Sequence, residues 1–330
     1  MTSNKVRETM EHIVFLDHEG ISHRIEKMVP NFPHTWTNYE YTPPELIVER
    51  LKDATIAMTC SVPLRKAQLE QLPKLRMISM ALTGMDIVDV EYCKERGIDV
   101  RNVPGYAENT VAEHTLAMIF DLIRKISHYH RLMQDINSGK APLQNLYLNY
   151  RIRDIQGLKL AIIGHGPIGR RLAALSQAIG MNVVFHDRFG KYQGEQYQPL
   201  DALLQQCDIL AICCPLTDET HDLIRAEHLQ MMKRDAVVVN TARGGIINER
   251  DLIQALLQEQ VAGVALDVVE HEPIQLDNPI LHLVGHPNLI LNPHVAWSSE
   301  NAMQGLMDQA IQNIQDFIQE EKLQQDSGAA

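Results

Sequence analysis

The chain alternates short apolar runs with amphipathic segments along most of its length. In the first third, apolar runs of strand length occupy 12–16, 54–59, 75–80 and 98–100. Helical spacing separates them, beginning near Pro44, where a proline is tolerated in a first turn because its missing N–H needs no partner. Such alternation predicts parallel strands joined by crossover helices, that is, a doubly wound α/β unit.

The pattern changes over 108–134, where an apolar stripe at helical spacing, with no internal proline or glycine, predicts one long helix. A second series of alternating strands and helices begins at Leu158 and continues to Leu291. A final helix is predicted over about 299–320. The small, polar tail at 324–330 is expected to be disordered. The chain therefore carries two α/β units.

Composition narrows the class of protein. The 330 residues, 45% of them hydrophobic, suffice for two globular domains. A formal net charge of −12 disfavours nucleic acid and anionic membrane surfaces, because phosphate binding needs clustered Lys and Arg. No apolar run approaches the ~20 residues of a membrane span, and the polar N-terminus is unlike a signal peptide. Five cysteines without a Cys-x-x-Cys pair indicate free thiols, no metal site and a cytoplasmic location.

A glycine motif follows the first strand of the second series. The strand 158–163 leads into Gly164-His165-Gly166-Pro167-Ile168-Gly169, and an amphipathic stretch follows. A second strand then ends at Asp187, 23 residues after Gly164. Gly-x-Gly-x-x-Gly between strand and helix, with an acid about 20 residues on, is the dinucleotide-binding fingerprint of a Rossmann domain.

Each part of this motif has a physical role. Gly164 allows the tight turn, Gly166 lets the backbone approach the pyrophosphate, and Gly169 lets the helix lie close to the sheet. Asp187 would accept hydrogen bonds from the ribose hydroxyls and repel a 2′-phosphate, which favours NAD over NADP. Arg188 slightly weakens this preference, because an arginine can bind a 2′-phosphate.

Polar residues follow three later apolar strands, in segments 237–245, 265–273 and 289–297. The carboxyl ends of parallel strands line the ligand crevice of an open sheet. These segments contain Arg243, Glu272 and His294. Taken alone, the arginine or the glutamate could equally be a structural residue, and a lone histidine is usually structural. Their placement at successive strand ends after a dinucleotide fingerprint indicates a catalytic set.

The three segments, together with ordered motifs elsewhere, resemble the D-isomer-specific 2-hydroxyacid dehydrogenase family. The likeness extends from about Leu75 to the final helix. Its further motifs are Thr83-Gly84-Met85-Asp86-Ile87-Val88-Asp89, Val103-Pro104-Gly105, Val111-Ala112-Glu113-His114 and Pro215-Leu216-Thr217. Ile152-Arg153-Asp154 and His294-Val295-Ala296-Trp297 are most similar to the glycerate dehydrogenase (hydroxypyruvate reductase) branch.

The resemblance implies three catalytic roles. Arg243 would hold the carboxylate or carbonyl oxygen of the substrate with its fork of N–H groups. His294 would donate a proton to the carbonyl oxygen as the hydride arrives, and take it back in oxidation. Glu272 would hydrogen-bond His294 and stabilise its charged form. His271 is a competing base, ranked below His294 because the Pro-His motif singles out His294.

The resemblance also implies ligand contacts. Backbone N–H groups near Thr83 and Gly84 would receive the substrate carboxylate, and Trp297 is either a pocket wall or a packing residue. Asp267 would position the nicotinamide carboxamide. The remaining cofactor contacts would come from Pro167, Ile168, Pro215, Thr241 and Ala242.

The implied architecture is discontinuous. Residues 1–108 and 299–330 would form a smaller, flavodoxin-like substrate domain, and 109–298 an inserted Rossmann domain that binds NAD. The implied function is reduction of hydroxypyruvate or glyoxylate by NADH. D-lactate dehydrogenase, or a dinucleotide-sensing protein similar to the C-terminal-binding-protein corepressors, remains an alternative. A homodimer is expected through the long helix.

Overall fold

The computed structural model describes residues 10–26, 28–144, 148, 150–188 and 190–328. The chain divides into two compact units, and each is built on a parallel β-sheet. The first unit comprises Met1–Tyr106 with Ser298–Ala330, and the second comprises Ala107–Trp297. Two parallel α/β sheets confirm the predicted fold class.

Within the described part of the chain, the strands are β1 (Glu11–Phe15), β2 (His34–Asn38), β3 (Ile56–Thr59), β4 (Met77–Met80), β5 (Asp99–Arg101), β6 (Lys159–Ile163), β7 (Asn182–His186), β8 (Ile209–Ile212), β9 (Val237–Asn240), β10 (Gly263–Leu266) and β11 (Leu289–Leu291). The α-helices are α1 (Ile47–Leu51), α2 (Lys66–Leu69), α3 (Val90–Arg96), α4 (Glu108–Arg124), α5 (Ile126–Asn137), α6 (Pro167–Ala178), α7 (Leu200–Gln206), α8 (Ala226–Met231), α9 (Glu249–Leu257) and α10 (Glu300–Gly328). Short 3-10 helices occupy His18–Gly20, Pro44–Leu46 and Pro279–Leu283.

The sheet of the first unit has the order β2-β1-β3-β4-β5, with every neighbouring pair parallel. This is the flavodoxin-like order. Strand β2 was not predicted from the sequence, because its residues, His-Thr-Trp-Thr-Asn, lack an apolar run. It lies at the sheet edge with three of its five residues exposed, so pairing with β1 defines it rather than burial.

The sheet of the second unit has the order β11-β10-β9-β8-β6-β7, again all parallel. The chain passes from β6 outward to β7, then crosses to β8 on the other side of β6. Strands β6 and β8 therefore flank the topological switch point, where ligands bind in sheets of this kind. An isolated parallel bridge, Phe185 to Tyr197, extends the sheet beyond β7.

The single long helix predicted over 108–134 is two helices, α4 and α5. Lys125 separates them with a left-handed φ of +57°. Its side chain is buried, and its Nζ donates to Asn288 Oδ1 at 2.7 Å. The Asp121 carboxylate accepts a hydrogen bond from the backbone N–H of Ser127 at 2.7 Å and so caps the start of α5. The break depends on these side-chain contacts, so the absence of proline and glycine did not reveal it.

The last helix is longer than predicted, and the expectation of disorder for 324–330 is wrong for residues 324–328, which continue α10. Residues 321–325 (Glu-Lys-Leu-Gln-Gln) all favour helices. Ion pairs from Arg76 to Glu321 and from Arg101 to Glu320 attach this part of α10 to the first sheet. Residues 329–330 lie outside the described part.

Apolar side chains from both faces of the second sheet form two buried clusters, which fix the strand ends from which the site residues emerge. Strands β8, β9 and β10 are buried along their whole length. Among the described residues, no helix has the length and apolarity to cross a membrane. Nor do His, Cys, Asp and Glu side chains in that part of the chain cluster as metal ligands.

Candidate active site

Two glycines after β6 are held against backbone atoms. Gly164 has a φ of +106°, and a Cβ there would lie 2.7 Å from the carbonyl oxygen of Cys213, just after β8. A Cβ on Gly169 would overlap the carbonyl oxygen of Gly164 itself. Glycine is therefore required at both positions, at Gly164 for the turn and at Gly169 for close packing of α6 beneath it.

Gly166 meets a different environment, since a Cβ there would have no protein atom within 4 Å. This residue is the N-cap of α6, Pro167 occupies the first helical position, and Ile168 follows half-buried. The N–H groups of a first helical turn have no intrahelical acceptor and attract anions. The open space at Gly166 leaves these N–H groups accessible where the sequence predicts the pyrophosphate.

Asp187 immediately follows β7, next to the glycine loop in the sheet. One oxygen of its carboxylate accepts a hydrogen bond from the Tyr192 backbone N–H at 2.8 Å, which fixes the side chain. The guanidinium of neighbouring Arg188 lies 3.6 Å from a carboxylate oxygen of Glu219. The placement of Asp187 suits the ribose contact expected from the sequence.

His165, for which the sequence suggested no role, lies among aromatic rings. Its ring centroid is 4.7 Å from Phe185, 4.3 Å from Tyr192 and 5.4 Å from Tyr197. Burial, together with the charge of Arg170, lowers the pKa of the His165 imidazole. This histidine therefore packs the glycine loop against β7 through its contacts with the three aromatic rings.

The loop after β9 presents Arg243. Asn240, the last residue of β9, is buried; its Nδ2 donates to the Arg243 carbonyl oxygen at 2.8 Å and its Oδ1 accepts from the Ala242 N–H at 3.0 Å. A Cβ on Gly244 would overlap the Val269 carbonyl oxygen, so glycine is required there. The Arg243 guanidinium is half-buried and donates to the Ala242 carbonyl oxygen at 2.9 Å. Within the described residues no carboxylate pairs with it.

The side chains of His294 and Glu272 are joined by a hydrogen bond. The distance from His294 Nδ1 to Glu272 Oε2 is 2.6 Å. The other oxygen of Glu272 accepts from the Val269 N–H at 3.2 Å, which orients the carboxylate. His294 Nε2 has no hydrogen-bond partner within the described residues. A histidine with one ring nitrogen held by a carboxylate presents the other for proton transfer.

The turn that carries His294 is built on Asp267, which follows β10. His294 has a φ of +54°, a conformation that costs a non-glycine residue about 1–3 kcal/mol. The Asp267 carbonyl oxygen accepts from the His294 N–H at 2.7 Å, and its buried carboxylate accepts from the N–H groups of Val295 and Ala296, both at 2.9 Å. Asp267 thus stabilises the turn, a contact that the sequence did not reveal.

The other predicted residues of this unit lie beside these loops. Trp297 Nε1 donates to the His294 carbonyl oxygen at 2.9 Å. Thr241 is buried and its hydroxyl lies 2.7 Å from that of Thr115 on α4. Pro215 is exposed after β8, and its carbonyl oxygen accepts from the Thr220 hydroxyl at 2.7 Å.

Thr83 and Gly84 belong to the first unit and follow β4. The Thr83 hydroxyl donates to the Val103 carbonyl oxygen at 2.8 Å, and Asn102 Nδ2 donates to the Thr83 carbonyl oxygen at 2.6 Å. These contacts fix the loop at the carboxyl edge of the first sheet. The contacts of Thr83 and Gly84 with the substrate remain a prediction.

Sequence reasoning missed two asparagines in the loops that carry Arg243 and His294. Asn240 ends β9, and Asn292 follows β11, where its Nδ2 lies 3.0 Å from His114 Nε2. A polar amide at the end of an apolar strand is the signal that could have singled out both. Strands β9, β10 and β11 are parallel neighbours, so the loops that carry Arg243, Glu272 and His294 all follow the carboxyl ends of the second sheet.

Comparison with known families supports this reading of the second unit. The model of the D-isomer specific 2-hydroxyacid dehydrogenase, NAD binding domain, matches residues 116–296. The predicted NAD-binding domain is therefore confirmed.

Individual relatives match along nearly the whole chain. A glycerate dehydrogenase of Methylorubrum extorquens is 43% identical over 309 residues, covering 93% of this chain and 96% of the relative. A hydroxypyruvate reductase of Blautia hydrogenotrophica is 33% identical, over 83% and 85% respectively. The D-lactate dehydrogenase of Aquifex aeolicus, solved with NAD and lactic acid, is 26% identical with a TM-score of 0.76, over 96% and 98%.

Proposed function

Because the chain belongs to the D-isomer-specific 2-hydroxyacid dehydrogenases, we propose that it reduces a small 2-keto acid, hydroxypyruvate or glyoxylate, to the D-2-hydroxy acid with NADH, reversibly. The observation that carries this proposal is the 2.6 Å contact between His294 and Glu272 at the sheet edge that also presents Arg243. A base held by a carboxylate, on the same side of the sheet as a guanidinium with no carboxylate partner among the described residues, suits an anionic substrate with a carbonyl group.

In the proposed reaction, NADH supplies the hydride. Arg243 binds the carboxylate or carbonyl oxygen of the substrate, because its guanidinium has no carboxylate partner among the described residues. His294 Nε2 donates a proton to the carbonyl oxygen as it becomes a hydroxyl. Glu272 keeps the imidazole oriented and stabilises its positive charge before the proton leaves. In the oxidation direction, neutral His294 takes the hydroxyl proton.

The proposed cofactor site uses the glycine loop and Asp187. The first turn of α6 would hold the pyrophosphate beside Gly166, with Pro167 and Ile168 forming that turn. Asp187 would bind the ribose hydroxyls and favour NADH over NADPH. Pro215, Thr241, Ala242 and Asp267 are proposed as further contacts of the cofactor.

We propose an unphosphorylated substrate of two or three carbons. The loop 83–86, which would bind the substrate carboxylate through Thr83 and Gly84, contains no Lys or Arg for a distal phosphate. Trp297 would add an apolar wall. The domain of residues 1–108 and 299–330 would thus serve the substrate, and 109–298 the cofactor.

The decisive assay follows NADH oxidation with hydroxypyruvate, glyoxylate, pyruvate and 3-phosphohydroxypyruvate. We expect the largest kcat/KM for one of the first two. A larger value for pyruvate favours a D-lactate dehydrogenase, and a larger value for the phosphorylated acid contradicts the substrate class. NADH binding without turnover of any acid favours the dinucleotide-sensing alternative.

We also propose a cytoplasmic homodimer that pairs through α5. Ile126 and Met133 on this helix are 60% and 54% exposed, and α5 has no buried residue within the chain. Five free thiols suit a reducing compartment. Light scattering should give twice the chain mass, and Met133→Glu should shift the population toward the monomer. A monomeric unmodified protein at micromolar concentration would overturn the dimer.

A further inference from the structure

Helix α4 touches both catalytic loops through two consecutive residues. His114 Nε2 lies 3.0 Å from Asn292 Nδ2, two residues before His294. Thr115 Oγ1 lies 2.7 Å from Thr241 Oγ1, two residues before Arg243. The motif that contains His114 contributed to the family resemblance, yet the proposed mechanism assigns no role to it.

The contact at His114 fixes the start of the His294 turn. Because an amide nitrogen can only donate, His114 Nε2 accepts this hydrogen bond from the Asn292 side chain. The Asn292 backbone N–H donates to the Leu266 carbonyl oxygen at 2.8 Å. His114 Nε2 also lies 3.8 Å from a carboxylate oxygen of Asp267. His114 therefore adjoins Asn292, at the start of the turn, and Asp267, which holds His294 in its left-handed conformation.

The contact at Thr115 fixes the start of the Arg243 loop. Thr115 donates its one hydroxyl hydrogen to the Val111 carbonyl oxygen at 2.7 Å. The Thr241 hydroxyl must therefore be the donor in the bond between the two threonines. Thr115 and Thr241 are both buried, so this bond is shielded from water. A third contact, from the Thr110 hydroxyl to the Ala296 carbonyl oxygen at 3.4 Å, joins the same helix to the His294 turn.

We propose that His114 and Thr115 are positioning residues for the reaction, which rests on the proposed function. One rigid helix sets the spacing of the proton donor and the carboxylate-binding arginine, because each residue holds the loop that carries one of them. Catalysis is sensitive to such spacing: a displacement of about 1 Å can cost roughly a hundredfold in rate. Support of this kind from rigid elements is what holds a catalytic set in place.

The test compares His114→Leu with His114→Gln. Leucine removes the acceptor, whereas the glutamine amide oxygen can reach the place of Nε2 and accept from Asn292. We expect His114→Leu to lower kcat about 10- to 100-fold with an unchanged NADH dissociation constant, and His114→Gln to recover most of the rate. Glu113→Ala is the matched control and should leave kcat unchanged, since among the described residues the exposed Glu113 side chain hydrogen-bonds Asn109 on the same helix.

A readout independent of turnover separates this inference from the proposed reaction. The chain has two tryptophans, and the indole N–H of Trp297 donates to the His294 carbonyl oxygen. In NMR spectra, the Trp297 indole N–H signal should move in His114→Leu and return in His114→Gln. The Trp36 signal, from the first unit, should stay in place. This result would hold even if no 2-keto acid were reduced.

Thr115 has its own pair of variants. Thr115→Val removes the acceptor for the Thr241 hydroxyl with little change in shape, and Thr115→Ser keeps it. We expect valine to raise KM for the keto acid more than it lowers kcat, because Arg243 binds the substrate, and serine to restore KM.

An unchanged Trp297 signal and an unchanged kcat in His114→Leu would overturn the proposal. The proposal would also be overturned if His114→Leu lowered kcat, NADH affinity and thermal stability together and His114→Gln restored none of them.

Discussion

The glycine loop after β6 and the His294 turn after β11 leave the same edge of one sheet, but different chemistry fixes their shapes. The glycine loop depends on missing side chains: Gly164 and Gly169 lie so close to backbone atoms that a Cβ would not fit. The His294 turn depends on polar side chains from distant segments, chiefly Asp267 and Glu272.

This difference explains why a short sequence motif predicts the glycine loop, whereas no such motif predicts the His294 turn. The glycines lie within six consecutive residues and form a recognisable motif, although the atom that excludes a Cβ at Gly164 belongs to distant Cys213. The His294 turn needs β10, β11 and α4 to come together before its hydrogen bonds exist. Variants of the two regions should therefore fail in different ways, the first in cofactor binding or folding and the second in the chemical step.

The largest effect is expected from His294→Ala. Loss of a general acid costs about 10²–10⁴ in rate, so kcat for reduction should fall by that factor while NADH still binds. Stopped-flow kinetics and NADH fluorescence titration measure the two quantities. His271→Ala is the control, because this exposed histidine precedes Glu272 in the sequence, whereas among the described residues the ring hydrogen bond to the Glu272 carboxylate comes from His294. Equal losses in the two variants would contradict the assignment of the proton donor.

A matched pair of alanine variants separates the two functions of the glycine loop. Gly169→Ala overlaps the Gly164 carbonyl oxygen and should destabilise the fold by about 1–3 kcal/mol, measured by denaturant unfolding. Gly166→Ala meets no protein atom and has an ordinary φ of −72°, so stability should stay within about 0.5 kcal/mol.

In Gly166→Ala the added methyl group should instead exclude the pyrophosphate. NADH affinity is expected to fall about tenfold or more, the equivalent of roughly 1.4 kcal/mol. Unaltered NADH affinity in this variant would show that the cofactor does not approach Gly166.

A smaller effect, on the choice of cofactor, is expected from Asp187→Ala. Removing the carboxylate deletes charged hydrogen bonds to the ribose, worth about 1.5–3 kcal/mol, and ends repulsion of a 2′-phosphate. The ratio of kcat/KM for NADH over NADPH should fall at least about tenfold. Arg188→Ala is the companion variant and should lower NADPH use instead. Equal use of both cofactors by the unmodified protein would defeat this prediction.

The fold class was readable from the sequence because buried parallel strands are continuous apolar runs separated by amphipathic helices. What escaped prediction depended on particular side-chain contacts. The break at Lys125 rests on a buried amine and the Asp121 cap, and β2 rests on pairing at an edge. In the candidate site, sequence motifs singled out Arg243, Glu272 and His294. Asn292 meets its partner His114 only in the folded chain, and the local contacts of Asn240 with Ala242 and Arg243 were overlooked.

The smallest effect concerns Trp297, which the sequence left open between pocket wall and packing residue. Its indole N–H donates to the His294 carbonyl oxygen at 2.9 Å. Trp297→Phe keeps an aromatic ring but removes this bond, worth about 0.5–1.5 kcal/mol. If Trp297 acts on the turn, kcat should fall by about two- to tenfold while KM for the keto acid stays unchanged. Trp297→Leu extends the test, because it also removes the ring. A rise in KM in both variants with an unchanged kcat would make Trp297 a wall of the substrate pocket, and the hydrogen bond to His294 incidental to catalysis.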